Sequence, residues 1–178
     1  SNEQANTVTV AAPKKQTTSQ FEKSIRTNIT SRLFGEDVVT EKALLSAAKS
    51  HLAYMALHKT TTSEEKKGKS RFTGATPMKR VKKAARLKEF FKKMRSNVFE
   101  YVFTKTYSAD DFTAEDAVID ATNKFSAERK GIAGELKTTG IAVQVRKLKT
   151  SYTVYIVALE RRSKGKKAEV EPETTDED

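Results

Sequence analysis

The chain reads as an α+β protein, mostly helical, that opens with a helical hairpin and ends in a β-hairpin. Three observations predict this. Apolar residues recur at three- and four-residue steps in stretches that begin after Ser19, Thr40 and Thr76, as they do on amphipathic helices. Ser, Thr and Pro stand where those helices would begin, and Gly35 stands where the first would end. After Gly140 the apolar period changes to two, in "IAVQVRKLKTSYTVYIVALERR".

Residues 1–18 are polar and without sustained periodicity, so they read as a disordered arm. Their first two residues, Ser1 and Asn2, read as the remnant of a cleaved tag. Ser19 and Glu22 have the spacing of a capping box. Phe21, Ile25, Ile29 and Leu33 then form one stripe, and Gly35 closes the helix. Thr40 is placed to cap a second helix whose apolar face is Leu44, Leu45, Ala48, Leu52, Met55 and Ala56. A short link between two such helices predicts a helical hairpin over residues 19–59, a candidate surface for pairing with a second copy.

Residues 60–76 form a basic linker, "TTTSEEKKGKSRFTGA" and Thr76. Thr76 and Pro77 match an N-cap and first helical residue, and Ala84, Leu87, Phe91, Met94 and Val98 make the core stripe of the helix that follows. "NVFEYVFTKTY" is rich in β-branched and aromatic residues and reads as a short strand or as the end of that helix. Thr113 caps a helix with Glu115 and Asp116 in its first turn, where the helix dipole favours acids. Ser126 caps another, which Gly140 ends. Two strands follow about a turn at Lys149, Thr150 and Ser151, with Ile141, Val143 and Val145 alternating on the first and Tyr152, Val154 and Ile156 on the second. Residues 163–178 are a basic run followed by an acidic tail, "AEVEPETTDED", read as disordered.

From Pro77 to Arg162 the order is helix, short strand, helix, helix, strand, strand. That order resembles the winged-helix form of the helix-turn-helix domain. The resemblance covers about half the chain and rests on topology and spacing. It implies a nucleic-acid-binding domain over residues 77–162, with the helix after Ser126 as recognition helix and the hairpin as wing. Arg129, Lys130 and Lys137 would then face a groove or base edges, and Arg146, Lys147 and Lys149 would contact phosphate. Gly131 and Gly134 depart from that pattern, since each costs a helix interior about 1 kcal/mol against Ala. The Lys-rich helix, the loop "KKGKSR" and the tail "EVEPETTDED" are also similar in overall character to RNA-binding proteins of nucleus-forming jumbo phages. That resemblance implies a viral protein that binds RNA in the host cytoplasm.

Charge points the same way. The 178 residues carry a formal net charge of +11 and a pI near 9.7. Between Lys66 and Arg95 thirteen Lys or Arg face one acid, Glu89. An excess of one sign forgoes the i,i+4 pairing that steadies ordinary surface helices, and a polyanion relieves it. Lys66, Lys67, Lys69, Arg71, Lys79, Arg80, Lys82, Lys83, Arg86 and Lys93 are the first set of candidate nucleic-acid contacts, with Phe72 as a ring for base stacking. Arg161 and Arg162 join the hairpin residues as a second set, and Tyr152 and Tyr155 are further stacking candidates that point to opposite faces of their strand.

Other chemistries find less in the sequence. Without Cys there is no disulfide, thiol nucleophile or thiolate metal site. No apolar run approaches the roughly 18 residues of a membrane span. "GKS" at Gly68–Ser70 is the end of a P-loop, but Ser63 stands where its first Gly belongs and no apolar strand precedes it. His51 and His58 share a helix face without a third ligand nearby. Asp110-Asp111 and Glu115-Asp116 are candidate Mg²⁺ ligands that read better as helix caps. The expectation is a non-catalytic, cofactor-free protein that binds nucleic acid through its backbone. Single-stranded RNA such as mRNA is favoured over DNA, and condensates with RNA follow from multivalent basic arms. A winged-helix protein on duplex DNA, or an adaptor whose basic face docks an acidic protein, are the alternatives.

Overall fold

Residues 152–159 are buried at every position, on both faces of the chain. Only a central strand covered on both sides buries such a run. In the structure, a computed structural model that describes residues 16–85 and 96–164, this run lies in strand β4, Ser151–Ser163. It pairs antiparallel with β2, Ser96–Ser108, on one side and with β3, Leu136–Lys147, on the other. A two-residue strand β1, Val39–Thr40, runs parallel to β3, giving the order β1-β3-β4-β2. Four helices complete the described residues: α1, Thr18–Phe34; α2, Lys42–His58; α3, Pro77–Ala85; and α4, Ala114–Arg129. Since β2 and β3 both oppose β4, they are parallel to one another, and β2-α4-β3 is a split βαβ unit with β4 between its strands. The fold is α+β.

The pleat sends alternate β4 residues to opposite faces. Tyr152, Val154, Ile156 and Ala158 meet Ile25, Ile29 and Leu33 of α1 and Val118, Ala121 and Phe125 of α4. Tyr155, Val157 and Leu159 meet Leu44, Ala48, Leu52 and Met55 of α2, and Val81 of α3. The α1 and α2 stripes read from the sequence are therefore core, with Leu45 half-buried, while Leu87, Phe91 and Met94 of the third stripe lie outside the described residues; but α1 and α2 do not pair as a hairpin. They lie on opposite faces of the sheet and spend their apolar sides there. A two-faced central strand offers each helix more apolar surface than the other helix does.

The caps follow local chemistry with small shifts. Thr17 and Gln20, rather than Ser19 and Glu22, form the capping box of α1. Gly35 ends that helix at φ 91°. Glu41 precedes α2, because Thr40 belongs to β1. Thr113 and Asp116 form a capping box at α4 as expected. Residues 97–107 are strand throughout.

The larger correction concerns residues 126–140. Ser126 starts no new helix; it continues α4, which ends at Arg129. Gly131 and Gly134 then take φ of 77° and 98°, where the chain leaves helical space, and β3 begins at Leu136. A Cβ on Gly134 would sit 2.1 Å from the Ser163 carbonyl oxygen, so this turn packs on the end of β4. Thus no helix stands where a recognition helix was expected. The calls on Arg86 and Lys93, and most of the N-terminal arm and C-terminal tail, lie outside the described residues.

Gly140 marks the closest approach of helix to sheet. A Cβ there would lie 2.3 Å from the Leu45 amide nitrogen and 2.5 Å from the Leu44 carbonyl carbon. Both are backbone atoms in the first turn of α2, so only a shift of the whole helix makes room. Gly140→Ala should lower unfolding free energy by about 1–3 kcal/mol through this overpacking, read as a lower urea midpoint at unchanged slope.

Candidate nucleic-acid interface

The cations of the chain fall into two groups, those held by acids and those facing water without one. The first group contains four arginines that sequence reasoning placed on nucleic acid. Arg80 is 1 % exposed. Its guanidinium donates to the carbonyls of Gly74 and Ser63, at 2.9 Å each, and to Glu100 Oε1 at 2.8 Å. Arg129 Nε donates to Glu160 Oε2 at 2.6 Å, and the guanidinium lies 4.7 Å from the centre of the Phe34 ring. Arg162 bonds the other Glu160 oxygen and the Ile132 carbonyl. Arg161 donates to Glu41 at 2.9 Å and to Ser96 at 3.1 Å. All four are internal struts: Arg80, Arg129 and Arg162 meet the buried carboxylates of Glu100 and Glu160, and Arg161 meets the partly buried Glu41. None is free for phosphate.

Arg80 belongs to a four-member network that sets the shape of the basic loop, residues 60–76. Glu65, inside the loop, is buried. Its Oε2 lies 2.7 Å from His51 Nδ1, and its Oε1 accepts the Thr73 amide at 2.7 Å and the Thr73 hydroxyl at 3.2 Å. His51 Nε2 lies 2.7 Å from the Thr62 carbonyl. A carbonyl only accepts, so Nε2 carries a proton, and one further proton lies between Nδ1 and Glu65. Two more bonds hold the loop against α2: the Lys66 amide donates to Tyr54 Oη at 3.0 Å, and His58 Nε2 donates to the Ser70 carbonyl at 2.7 Å. Gly68, Lys69 and Ser70 lie in turns of this loop, not between a strand and a helix, so the P-loop likeness ends at the letters.

This anchoring leaves Lys66, Lys67, Lys69 and Arg71 exposed along the loop and Lys79, Lys82 and Lys83 exposed on α3. Phe72 is partly buried. Arg146, Lys147 and Lys149 are exposed at the β3–β4 turn. None of these ten cations pairs with an acid among the described residues, whereas Lys137 pairs with Glu135 at 3.2 Å. Lys130 is exposed beside the end of α4, away from the loop. Loop and α3 share the face of the sheet that α2 covers. Tyr152 and Tyr155 are both buried, on opposite faces as expected.

The opposite face mixes the signs, with Lys23, Arg26 and Arg32 on α1 and Lys124 on α4. The outward side of α4 carries Glu115, Asp116, Asp120 and Glu128. Glu115 pairs with Arg32 at 2.7 Å, and Asp116 accepts the Thr113 amide as a cap. Hydrogen bonds from Lys105 and Tyr107 hold the Asp120 carboxyl below its ordinary pKa despite partial burial. Among the described residues no three His, Asp or Glu are grouped to hold a metal ion, and no helix is long and apolar enough to cross a membrane.

Sequence reasoning missed Lys59 and the buried acids. Lys59 ends α2 in the left-handed conformation, at φ 51°. Glu100 had a signal: it is the single acid in β2 and stands between Val98-Phe99 and Tyr101-Val102-Phe103. Glu65 had a weaker one, an acid inside a basic run. Compared with protein-family models, curated proteins and solved structures, the chain matches none.

Two outcomes test this assignment of roles. Arg80→Ala leaves two buried carboxylates facing each other and should cost roughly 3–5 kcal/mol of stability in a denaturant titration. Glu160 gives the pH dependence. Burial pushes its carboxyl up, but hydrogen bonds from Arg129, Arg162 and Tyr101 outweigh burial and hold it below its ordinary 4.5. Burial and then the bond to Glu160 push the Tyr101 hydroxyl up, so it stays a donor. A depressed carboxyl stabilises the fold above its unfolded pKa, and the gain is lost as pH falls through the folded value. Stability should therefore drop as pH falls below 4.5, and Glu160→Gln should start lower and fall less steeply.

Proposed function

We propose that this protein binds nucleic acid without catalysis, through phosphate contacts of the basic loop, α3 and the β3–β4 turn, with single-stranded RNA preferred over duplex DNA. The observation that carries this reading is the sorting of cations. Arg80, Arg129, Arg161 and Arg162 are matched to acids inside the fold, while the basic loop, α3 and the β3–β4 turn together expose ten cations that pair with no acid among the described residues. An unmatched set of this size is costly in self-repulsion and suits a polyanion, whose condensed counterions it releases.

The strand preference follows from shape. Reading a duplex major groove takes a projecting helix or ribbon with side chains aimed at base edges. The helix nearest the expected position, α4, presents an acidic outer side and cannot lie along phosphate. The exposed cations instead sit on a loop, a short helix and a turn, which suit backbone contact with a flexible strand. Several such contacts on one chain also favour condensation with long RNA, which turbidity with and without RNA would register.

Fluorescence anisotropy of labelled single-stranded RNA, single-stranded DNA and duplex DNA at several salt concentrations tests the proposal. Binding should be tightest for RNA and weaken steeply with salt. Lys69→Glu on the loop should weaken it and reduce the salt slope by about 0.7 for a single strand. Lys23→Glu, the same charge change on α1 across the sheet, should leave both nearly unchanged. Tighter binding to the duplex would turn the assignment to duplex DNA. No binding near physiological salt would leave the basic side to an acidic protein.

A further inference from the structure

The face of the sheet covered by α2 is only half covered. α2 ends at His58, against Tyr155, Val157 and Leu159. Beyond it the same face continues with Thr104 and Thr106 of β2, Thr153 of β4 and Arg146 of β3. The register places Thr104 beside Tyr155, and Thr106 and Arg146 on either side of Thr153. With Lys59, Thr61 and Leu148 these residues line a groove of about 340 Å³. That is the lower end of the roughly 300–1,000 Å³ in which small ligands are held.

The lining has one chemical character. Tyr155 and the half-exposed Leu148 supply apolar surface. Lys59 and Arg146 supply positive charge, and no carboxylate takes part. Four threonines supply hydroxyls that both donate and accept. Threonine is common in strands for its shape alone, and a lysine at a helix C-terminus needs no ligand. One atom is not accounted for that way. Thr106 and Thr153 bond each other at 3.0 Å, but the Thr104 hydroxyl is buried with no partner among the described residues. An unmet buried hydroxyl costs about 1–3 kcal/mol.

We propose that this groove holds one unstacked nucleotide of a single strand, an inference that rests on the nucleic-acid reading above. The base lies against Tyr155 and Leu148, the threonine hydroxyls meet its edge and the ribose 2′-hydroxyl, and Lys59 and Arg146 meet the flanking phosphates. Hydroxyl lining that recognises the 2′-hydroxyl is what separates RNA from DNA at a site. The strand continues onto the basic loop, because Lys59 follows His58, the residue that holds the Ser70 carbonyl. A duplex keeps its bases stacked inside and offers the groove nothing but phosphate.

The test uses the full chain, a ten-nucleotide oligouridylate and an RNA duplex of the same length. Thr104→Val keeps the shape and removes the unmet hydroxyl. It should leave thermal stability equal or higher, yet weaken oligouridylate binding by about threefold or more, as loss of one hydrogen bond does. Duplex binding should not change. Arg146→Gln should weaken the oligouridylate more than the duplex. With 4-thiouridine in the oligonucleotide, the photocrosslink should map to the peptide around Thr153 and Tyr155. If both variants bind as wild type, or the crosslink maps to the loop alone, the groove is not the site, while the loop assignment stands. If the wild-type protein binds neither RNA, groove and nucleic-acid reading fall together.

Discussion

The shape of the basic loop depends on a buried meeting of four ionisable side chains. His51 on α2, Glu65 in the loop, Arg80 on α3 and Glu100 on β2 come together between helix and sheet. A loop of lysines would ordinarily fan out under its own repulsion. Here one of its own acids is turned inward and held by a histidine, two threonine donors and an arginine. The loop is then fixed at its middle as well as at its ends. Side chains presented from such a loop lose less freedom on binding than those of an open linker, which leaves more of the interaction for affinity.

The sheet works as a divider. One side carries α2, α3, the basic loop and unmatched lysines. The other carries α1 and α4, with acids outward and arginines folded inward on Glu160. Net charge alone would have spread the excess evenly. The fold concentrates ten unpaired cations on the loop, α3 and the β3–β4 turn.

Much of this was legible from local chemistry. The α1 and α2 stripes, the Thr113 cap and the alternating hairpin all follow from neighbours a few residues apart, and all are present. The failures share a cause. Arg80, Arg129, Arg161 and Arg162 look like surface cations until their partners are known; Glu100, Glu160 and Glu41 lie 20, 31 and 120 residues from Arg80, Arg129 and Arg161, and Glu160, two residues from Arg162, is buried only by the sheet around it. Nothing local tells a strut from a phosphate contact. The helix expected after Ser126 failed differently: Gly131 and Gly134 already argued against it, and tertiary packing on Ser163 decided the matter. The split of α1 and α2 across the sheet was invisible because it depends on β4, more than ninety residues downstream of α2.

That position of β4 has a consequence for how the molecule is made. β2 and β3 are both synthesised before β4, yet neither pairs with the other in the finished sheet; each waits for the strand that fits between them. A chain emerging from the ribosome has its basic loop and α3 in the open well before the central strand arrives to close either face. During that interval its apolar stripes lack their partner. A lag between synthesis of the outer strands and closure of the sheet is built into the strand order itself.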